Sequence, residues 1–151
     1  MIETKLFELT GTSPASAITA LGSVARGLDA YDDFTIDARL TGATGGTLDV
    51  YLQRKVADDV WVDWLHFAQV SAAAAAASFS TCTSGRTALS TGQVLAVAQG
   101  TDSSAGTPAL TAGAFVGGHP GQAVRVVFVA GASTSAGAAQ TVRITARKTS
   151  G

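Results

Sequence analysis

Two stretches of alternating polarity, residues 34–40 and 48–56, constrain the fold of this chain more than any other feature. In the first, every even-numbered residue is apolar and every odd-numbered residue is polar. The alternation resumes at Leu48 and reaches Val56 with one interruption. A period of two is typical of a strand with one buried face. Both stretches are therefore predicted strands, and the glycine-rich segment 41–46 between them favours a hairpin.

Further strands are predicted on both sides of this pair. A turn at residues 57–59 leads into a third strand at 60–70, which would extend the hairpin to a three-stranded meander. An irregular or weak strand segment is predicted at residues 72–77, continuing into 78–82. Additional strands are predicted within residues 93–98, 108–116, 123–130 and 141–147. The strand at 123–130 is almost continuously apolar, which indicates burial on both faces. Seven or eight strands separated by turn residues predict an all-β fold, either an antiparallel β-sandwich or a jelly-roll-like barrel.

The first 30 residues have a different character. A short alternating piece, Lys5 to Leu9, is followed by a run rich in Gly, Ser, Thr and Ala that contains Pro14. This pattern predicts an N-terminal edge strand or arm followed by a loop over residues 1–30, and such an arm could become ordered on contact with a partner. Residues 31–151 are then predicted to form a single β-sandwich domain.

Composition indicates a protein that covers part of its surface with partners. Charged residues make up 14% of the 151-residue chain, against about 25% in an average globular protein. An ordinary β-protein rich in small residues remains an alternative. Ten of the eleven acids and five bases lie in residues 1–70, a balance of −5, and one acid and five bases in residues 71–151, a balance of +4. These halves either form opposed surfaces or interleave and cancel, and interleaving is expected in a sandwich.

Several classes of protein are not expected. The net charge of −1 argues against a general nucleic-acid binder. The longest apolar run, residues 72–77, is far shorter than the ~20 residues of a membrane span, and no signal peptide is recognisable. The single Cys82 excludes a disulfide within the chain.

Residues with catalytic or metal-binding chemistry are few and scattered. His66, His119 and Cys82 lack the spacing of a zinc site or of a catalytic pair, although a long-range pairing of Cys82 with a histidine stays an alternative. The paired aspartates of the chain are typical of strand starts and turns. A calcium site at Asp58, Asp59 and Asp63 is a less favoured alternative. We therefore expect no enzyme activity, no catalytic residues, no metal and no cofactor.

The two tryptophans are the strongest candidates for contact with a partner. Trp61 and Trp64 are three residues apart in a predicted strand, so they should face opposite sides of the sheet unless a bulge intervenes. One then belongs to the core, and the other is available for an interface or a ligand. Leu6 and Phe7 of the predicted arm complete the set of candidate interface residues.

Three segments of the chain together resemble a family of proteins. YDDFTIDARL at residues 31–40, TLDVYLQ at 47–53 and WVDWLHF at 61–67 resemble small virion structural proteins of tailed bacteriophages, most of all the capsid decoration (cement) or head-associated class. The resemblance implies a β-sandwich or β-barrel that sits on the capsid surface, bridges major capsid protein subunits and associates with itself, often as a trimer. It also implies a virion location after assembly in the host cytoplasm, with neither nucleic acid nor membrane as a partner.

Two other classes of function stay open. One is a tail, neck or baseplate component of the same kind of virion, which would assemble into rings or tubes. The other is a carbohydrate-binding or adhesive β-sandwich module, for which an exposed tryptophan would provide the stacking surface.

Overall fold

Ten antiparallel strands make up most of the chain that the computed structural model describes. The described residues are 2–12, 19–40, 46–58, 60–71, 77–84, 99–100, 110–115, 119–131 and 139–149. The strands are β1 (Ile2–Thr12), β2 (Thr19–Arg26), β3 (Asp33–Leu40), β4 (Thr47–Ala57), β5 (Val60–His66), β6 (Val70–Ser71), β7 (Ala77–Ser84), β8 (Gln99–Gly100), β9 (Ala123–Ala130) and β10 (Ala139–Thr149). A 3₁₀ turn at Leu28–Ala30 is the one helical element of the described residues, and none of their helices could span a membrane.

The strands form two sheets with the order of a jelly roll. One sheet has the order β1-β10-β3-β7, and the other has the order β2-β9-β4-β5-β8, with β6 beside β4. The eight longer strands pair as a single antiparallel hairpin would if it were rolled up: β1 with β10, β2 with β9, β3 with β7, and β4 with β5. The predicted all-β sandwich or jelly roll of seven or eight strands is thus confirmed.

The core lies between the sheets and is formed by the alternating residues that the sequence indicates. One cluster of buried side chains joins both sheets. It takes Phe34 and Ile36 from β3, Leu48 and Val50 from β4, and Phe128 from β9, among others. Strand β9 is buried along nearly its whole length, which confirms the prediction for residues 123–130.

The predicted hairpin between residues 34–40 and 48–56 is wrong, and so is the meander built on it. Strand β3 pairs with β10 and β7, whereas β4 pairs with β9, β5 and β6 in the other sheet. Alternation indicates that a strand buries one face but not which strand lies beside it. Strands β3 and β4 lie in different sheets, and both contribute side chains to the core between the sheets. The hairpin of β4 and β5 around residues 57–59 is present.

Residues 1–30 agree with the edge-strand alternative at β1 and differ from the predicted loop at β2. Strand β1 pairs with β10 along its full length, from Ile2 to Thr12. Strand β2 pairs with β9 in the other sheet, with a register shift between Leu21 and Val24. The small residues of this region are needed where β1 passes close to the second sheet. A Cβ atom at Gly11 would overlap the Phe128 ring, so a composition typical of loops here serves close packing.

Other predicted strands have mixed outcomes. The strand at 141–147 is part of β10. Of the segment predicted at 72–82, residues 77–82 are part of β7 and residues 72–76 lie outside the described residues. The prediction at 93–98 lies outside the described residues. In the described part of 108–116, residues 110–115, only an isolated bridge is present, between Phe115 and Leu65.

Candidate functional site

The outer face of the second sheet, away from the core, carries a buried cluster of polar and aromatic side chains. We call it the outer-face cluster. Because side chains alternate along a strand, β4, β5 and β9 place the following residues there: Asp49, Tyr51, Gln53, Trp61, Asp63, His66 and Arg125. All but Asp49 are buried.

Gln53 links the two buried charges of this cluster. Its Nε2 donates to Asp63 Oδ1 over 3.0 Å, and its Oε1 accepts from Arg125 Nε over 2.9 Å. The guanidinium of Arg125 lies 4.6 Å from the centre of the Trp61 ring, in a cation–π contact. An aspartate and an arginine that are both buried would each be costly alone. The glutamine between them and the aromatic ring under the cation supply the partners that these charges need.

His66 connects the cluster to the segment 110–115. Its Nδ1 lies 2.8 Å from the carbonyl oxygen of Leu110, and its Nε2 lies 3.1 Å from Asp49 Oδ1. The His66 backbone N–H donates to the Ala114 carbonyl, and the His66 carbonyl accepts from Gly113 N–H, both over 2.9 Å. The segment is therefore fastened to the end of β5 by backbone and side-chain hydrogen bonds.

Tyr51 lies at the centre of the cluster and is fully buried. Its ring meets the His66 ring edge to face, with 5.8 Å between the centroids. Burial raises the pKa of Tyr51 well above its ordinary value, Asp63 raises it further, and Arg125 opposes the rise. The phenol is thus held in its neutral form, which excludes it as a base at neutral pH.

This arrangement has the character of a structural network. Its polar groups bind one another or the backbone, and the cluster contains no Ser, Thr or Cys side chain beside a histidine. Among the residues that the structure describes, no three His, Cys, Asp or Glu side chains gather as a metal site would require. Asp63 of the predicted calcium alternative is turned towards Gln53, Asp58 makes an exposed contact with Lys55, and Asp59 lies outside the described residues.

His119 also has a structural position. Gly121 N–H donates to its Nδ1, and its Nε2 lies 2.9 Å from the Tyr31 carbonyl oxygen. Its ring packs edge to face on Phe34, at 5.2 Å. Both histidines therefore hold loops onto the sandwich. Strand β7 places Cys82 opposite Thr35 in the first sheet, whereas His66 lies at the end of β5 in the second sheet.

The four candidate interface residues do not come together. Trp64 and Phe7 lie in the core, and Trp61 is 6% exposed beneath Arg125. The two tryptophans do face opposite sides of the sheet, as their spacing predicts, although a bulge in β5 lies at Trp64. Leu6 alone among the four has an exposed side chain, with 56% of its surface accessible.

The outer face of the first sheet is exposed and carries alternating charge. The basic strand β10 lies between the acidic strands β1 and β3. Arg143 stands opposite Glu8 on one side and Asp37 on the other, and its Nε lies 3.1 Å from Glu8 Oε2. The acidic and basic halves of the sequence thus interleave within this sheet, which confirms the interleaved alternative.

Sequence reasoning missed the outer-face cluster as a unit. The signal available was the placement of Tyr51 and Gln53 on the polar side of an alternating strand, where both are nonetheless buried. Their burial depends on pairing with β5 and β9, and those long-range neighbours leave no local mark in the sequence. The chain matches no protein-family model, no curated protein and no solved structure.

Proposed function

We propose that this chain is a non-enzymatic virion structural protein of a tailed bacteriophage, which binds the assembled capsid and stabilises it. The observation that carries the proposal is the jelly-roll order of the two sheets. Viral capsid proteins and lectins are prominent users of this architecture. Three segments that resemble phage decoration proteins, residues 31–40, 47–53 and 61–67, contribute strands β3, β4 and β5 to it.

The chemistry of the described residues supports a role without catalysis. The rings of both histidines form hydrogen bonds with backbone or carboxylate groups, and these bonds hold loops in place. The buried charges Asp63 and Arg125 are linked through Gln53. A sandwich whose outer-face cluster links its buried charges to one another suits a protein whose task is to present a surface.

The proposed partners are the major capsid protein and further copies of this chain, and the resemblance implies trimers. Leu6 is the contact residue that best fits its position, because it is exposed on an edge strand. Phe7, Trp61 and Trp64 would act indirectly, by holding the strands that carry the contact surface. A protein that binds the assembled lattice but not the free subunits stabilises the lattice by mass action.

Cosedimentation tests the proposal. Purified chain is mixed with capsids assembled from the major capsid protein encoded in the same genome, and in parallel with the unassembled subunits. We expect saturable binding to capsids and none to subunits. A chain that stays in the supernatant with capsids at every concentration contradicts the proposal. Chain that instead joins isolated tails or forms tubes would assign it to the tail, neck or baseplate.

A carbohydrate-binding module is the second candidate, because lectins share the jelly-roll architecture. The outer-face cluster contains the residue types of a sugar site, among them Trp61 under Arg125. Glycan-array binding that disappears in Trp61→Ala but survives in Leu6→Ala would favour this candidate. The burial of Trp61 argues against it, since a stacking platform must be accessible to the sugar ring.

A further inference from the structure

Strand β1 is an edge strand whose second side is open among the described residues. It stands at the end of the β1-β10-β3-β7 sheet and pairs with β10 without a register shift. Edge strands present unpaired backbone groups, which can bind another strand. The residues of β1 that direct these groups to the open side determine which strand can pair with it.

The direction of the backbone groups follows from Thr10. Its N–H donates to Ser23 Oγ of β2 over 2.8 Å and thus points away from β10. In an antiparallel strand, every second residue directs both its N–H and its C=O to the same side. The even-numbered residues 2, 4, 6 and 8 therefore direct theirs to the open edge. Strand β2 meets this edge near Thr10, through Ser23 and Gly22.

The side chains of the uncovered half have a self-complementary order. Glu3, Thr4, Lys5 and Leu6 are all exposed. Thr4 and Leu6 lie on the outer face of the sheet, and Glu3 and Lys5 lie on the other. Glu3 and Lys5 are an acid and a base two residues apart on one face. When the strand pairs antiparallel with a copy of itself and the two-fold axis passes between them, the acid of each copy stands opposite the base of the other.

We propose that two copies of this chain pair through strand β1, antiparallel, with Thr4 opposite Thr4 of the second copy. Glu3 then stands opposite Lys5 of the second copy, twice by symmetry, and Leu6 stands opposite residue 2. Backbone hydrogen bonds between residues 2, 4 and 6 join the two four-stranded sheets into one continuous sheet of eight. Opposite charges and paired threonines are among the cross-strand neighbours that stabilise a sheet.

Neighbouring registers fit less well. A two-fold axis keeps each residue on its own face of the sheet. An even-numbered residue can therefore stand opposite only an even-numbered residue of the second copy, and an odd-numbered residue only an odd-numbered one. The register centred on Lys5 places the two lysines opposite each other. The one centred on Leu6 places Lys5 opposite Phe7 and Glu3 opposite Leu9, so both charges lose their partners. Registers centred further along approach Thr10, where β2 covers the edge.

The charges on β1 thus have two effects. Exposed Glu and Lys on an edge strand discourage indiscriminate pairing, and here they leave one register in which every charge is matched. This inference rests on the strand order and not on the proposed function, so capsid binding and self-pairing can fail separately. A two-fold contact closes at two copies, whereas the resemblance to decoration proteins implies three.

Charge reversal with rescue tests the contact. Sedimentation equilibrium is measured from about 10 µM to about 1 mM for Lys5→Glu, Glu3→Lys, the double variant and the unchanged chain of 15.1 kDa. Each single variant places like charges opposite each other, and we expect its dimer to weaken at least about tenfold. The double variant restores opposite charges and should dimerise as the unchanged chain does. The two single variants should also dimerise with each other when mixed.

Two further variants separate this contact from other effects. Glu8→Lys changes the net charge as Glu3→Lys does, but residue 8 lies beyond the paired segment, so dimerisation should persist. Thr4→Pro removes an N–H that points to the open edge, which leaves β1 paired with β10 and should abolish the dimer. A chain that remains at 15.1 kDa throughout, a trimer, or a dimer that all these variants leave unchanged overturns the proposal.

Discussion

The ring nitrogens of His66 and His119 have different hydrogen-bond partners. Both nitrogens of His66 face oxygens, those of Leu110 and Asp49, so a ring with protons on both nitrogens satisfies both contacts. In His119, Nδ1 accepts from Gly121 N–H, and Nε2 faces the Tyr31 carbonyl oxygen. Only the neutral ring with its proton on Nε2 satisfies that pair. Each histidine fixes one loop, and its neighbours determine the form it needs.

Tyr51 gives the chain a sensitivity to alkaline pH. Burial and the charge of Asp63 raise its pKa above the ordinary 10.0, against the opposing effect of Arg125. Above pH 10 the unfolded chain loses this proton while the folded chain keeps it. The stabilisation from Tyr51 is therefore complete below pH 10, and it decreases by about 1.4 kcal/mol per pH unit above.

Urea unfolding between about pH 9 and about pH 11 checks this expectation with Tyr51→Phe as the matched control. The difference in unfolding free energy between the unchanged chain and the variant should shift in favour of the variant as the pH rises above 10. If the unfolding free energies of the two proteins change in parallel with pH, Tyr51 titrates in the same range in the folded and the unfolded chain, which would contradict this expectation.

At the scale of single elements, the sequence predicts the strands better than their partners. Alternation locates β3 and β4 because each has one apolar face, and nearly continuous apolar character locates β9. The β3–β4 hairpin is wrong because glycines in a connection do not distinguish a tight turn from a crossing between sheets. Within residues 10–27, the described residues 10–12 and 19–26 are strand and not loop for a related reason, since Gly11 and Gly22 are required by close packing in strands.

Gly11 tests how tightly β1 lies against the second sheet. An alanine there would overlap the Phe128 ring, and overpacking of this kind costs about 1–3 kcal/mol. Phe128→Leu removes the ring atoms that meet the new methyl group. We expect Gly11→Ala to cost less stability in the Phe128→Leu background than in the unchanged chain. Thermal or urea unfolding of the unchanged chain, the two single variants and the double variant gives the coupling free energy between the two residues. Additive losses of stability would mean that the two residues do not touch.

At the scale of the whole molecule, the pairing of distant strands decides the architecture. Strand β1 pairs with β10 and β2 with β9, so the ends of the chain close the fold. No local pattern encodes these pairings, although the strand count and the turn residues already favour a sandwich or jelly roll. The outer-face cluster follows the same logic, because Gln53 finds Asp63 and Arg125 only after three strands have assembled.

The jelly roll also explains why three of the four candidate interface residues have little exposed surface. Large aromatic side chains in a small sandwich are needed in its core and beneath its loops, which removes Phe7, Trp61 and Trp64 from contact with a partner. The exposed surface of the first sheet is left with charges of both signs, hydroxyl groups and Leu6. Binding through such a surface depends on matched geometry more than on apolar area.

Thermal disassembly of the capsid tests whether this chain stabilises the assembled capsid, because the disassembly temperature measures the stability of the lattice. Capsids are heated with increasing amounts of the chain, and with Leu6→Asp as the variant altered at the exposed contact. We expect the disassembly temperature to rise with concentration, by an amount equivalent to about 2.7 kcal/mol per site at a hundredfold excess over Kd, and to rise less with the variant. A disassembly temperature that stays constant at saturating concentrations of the chain would contradict the account.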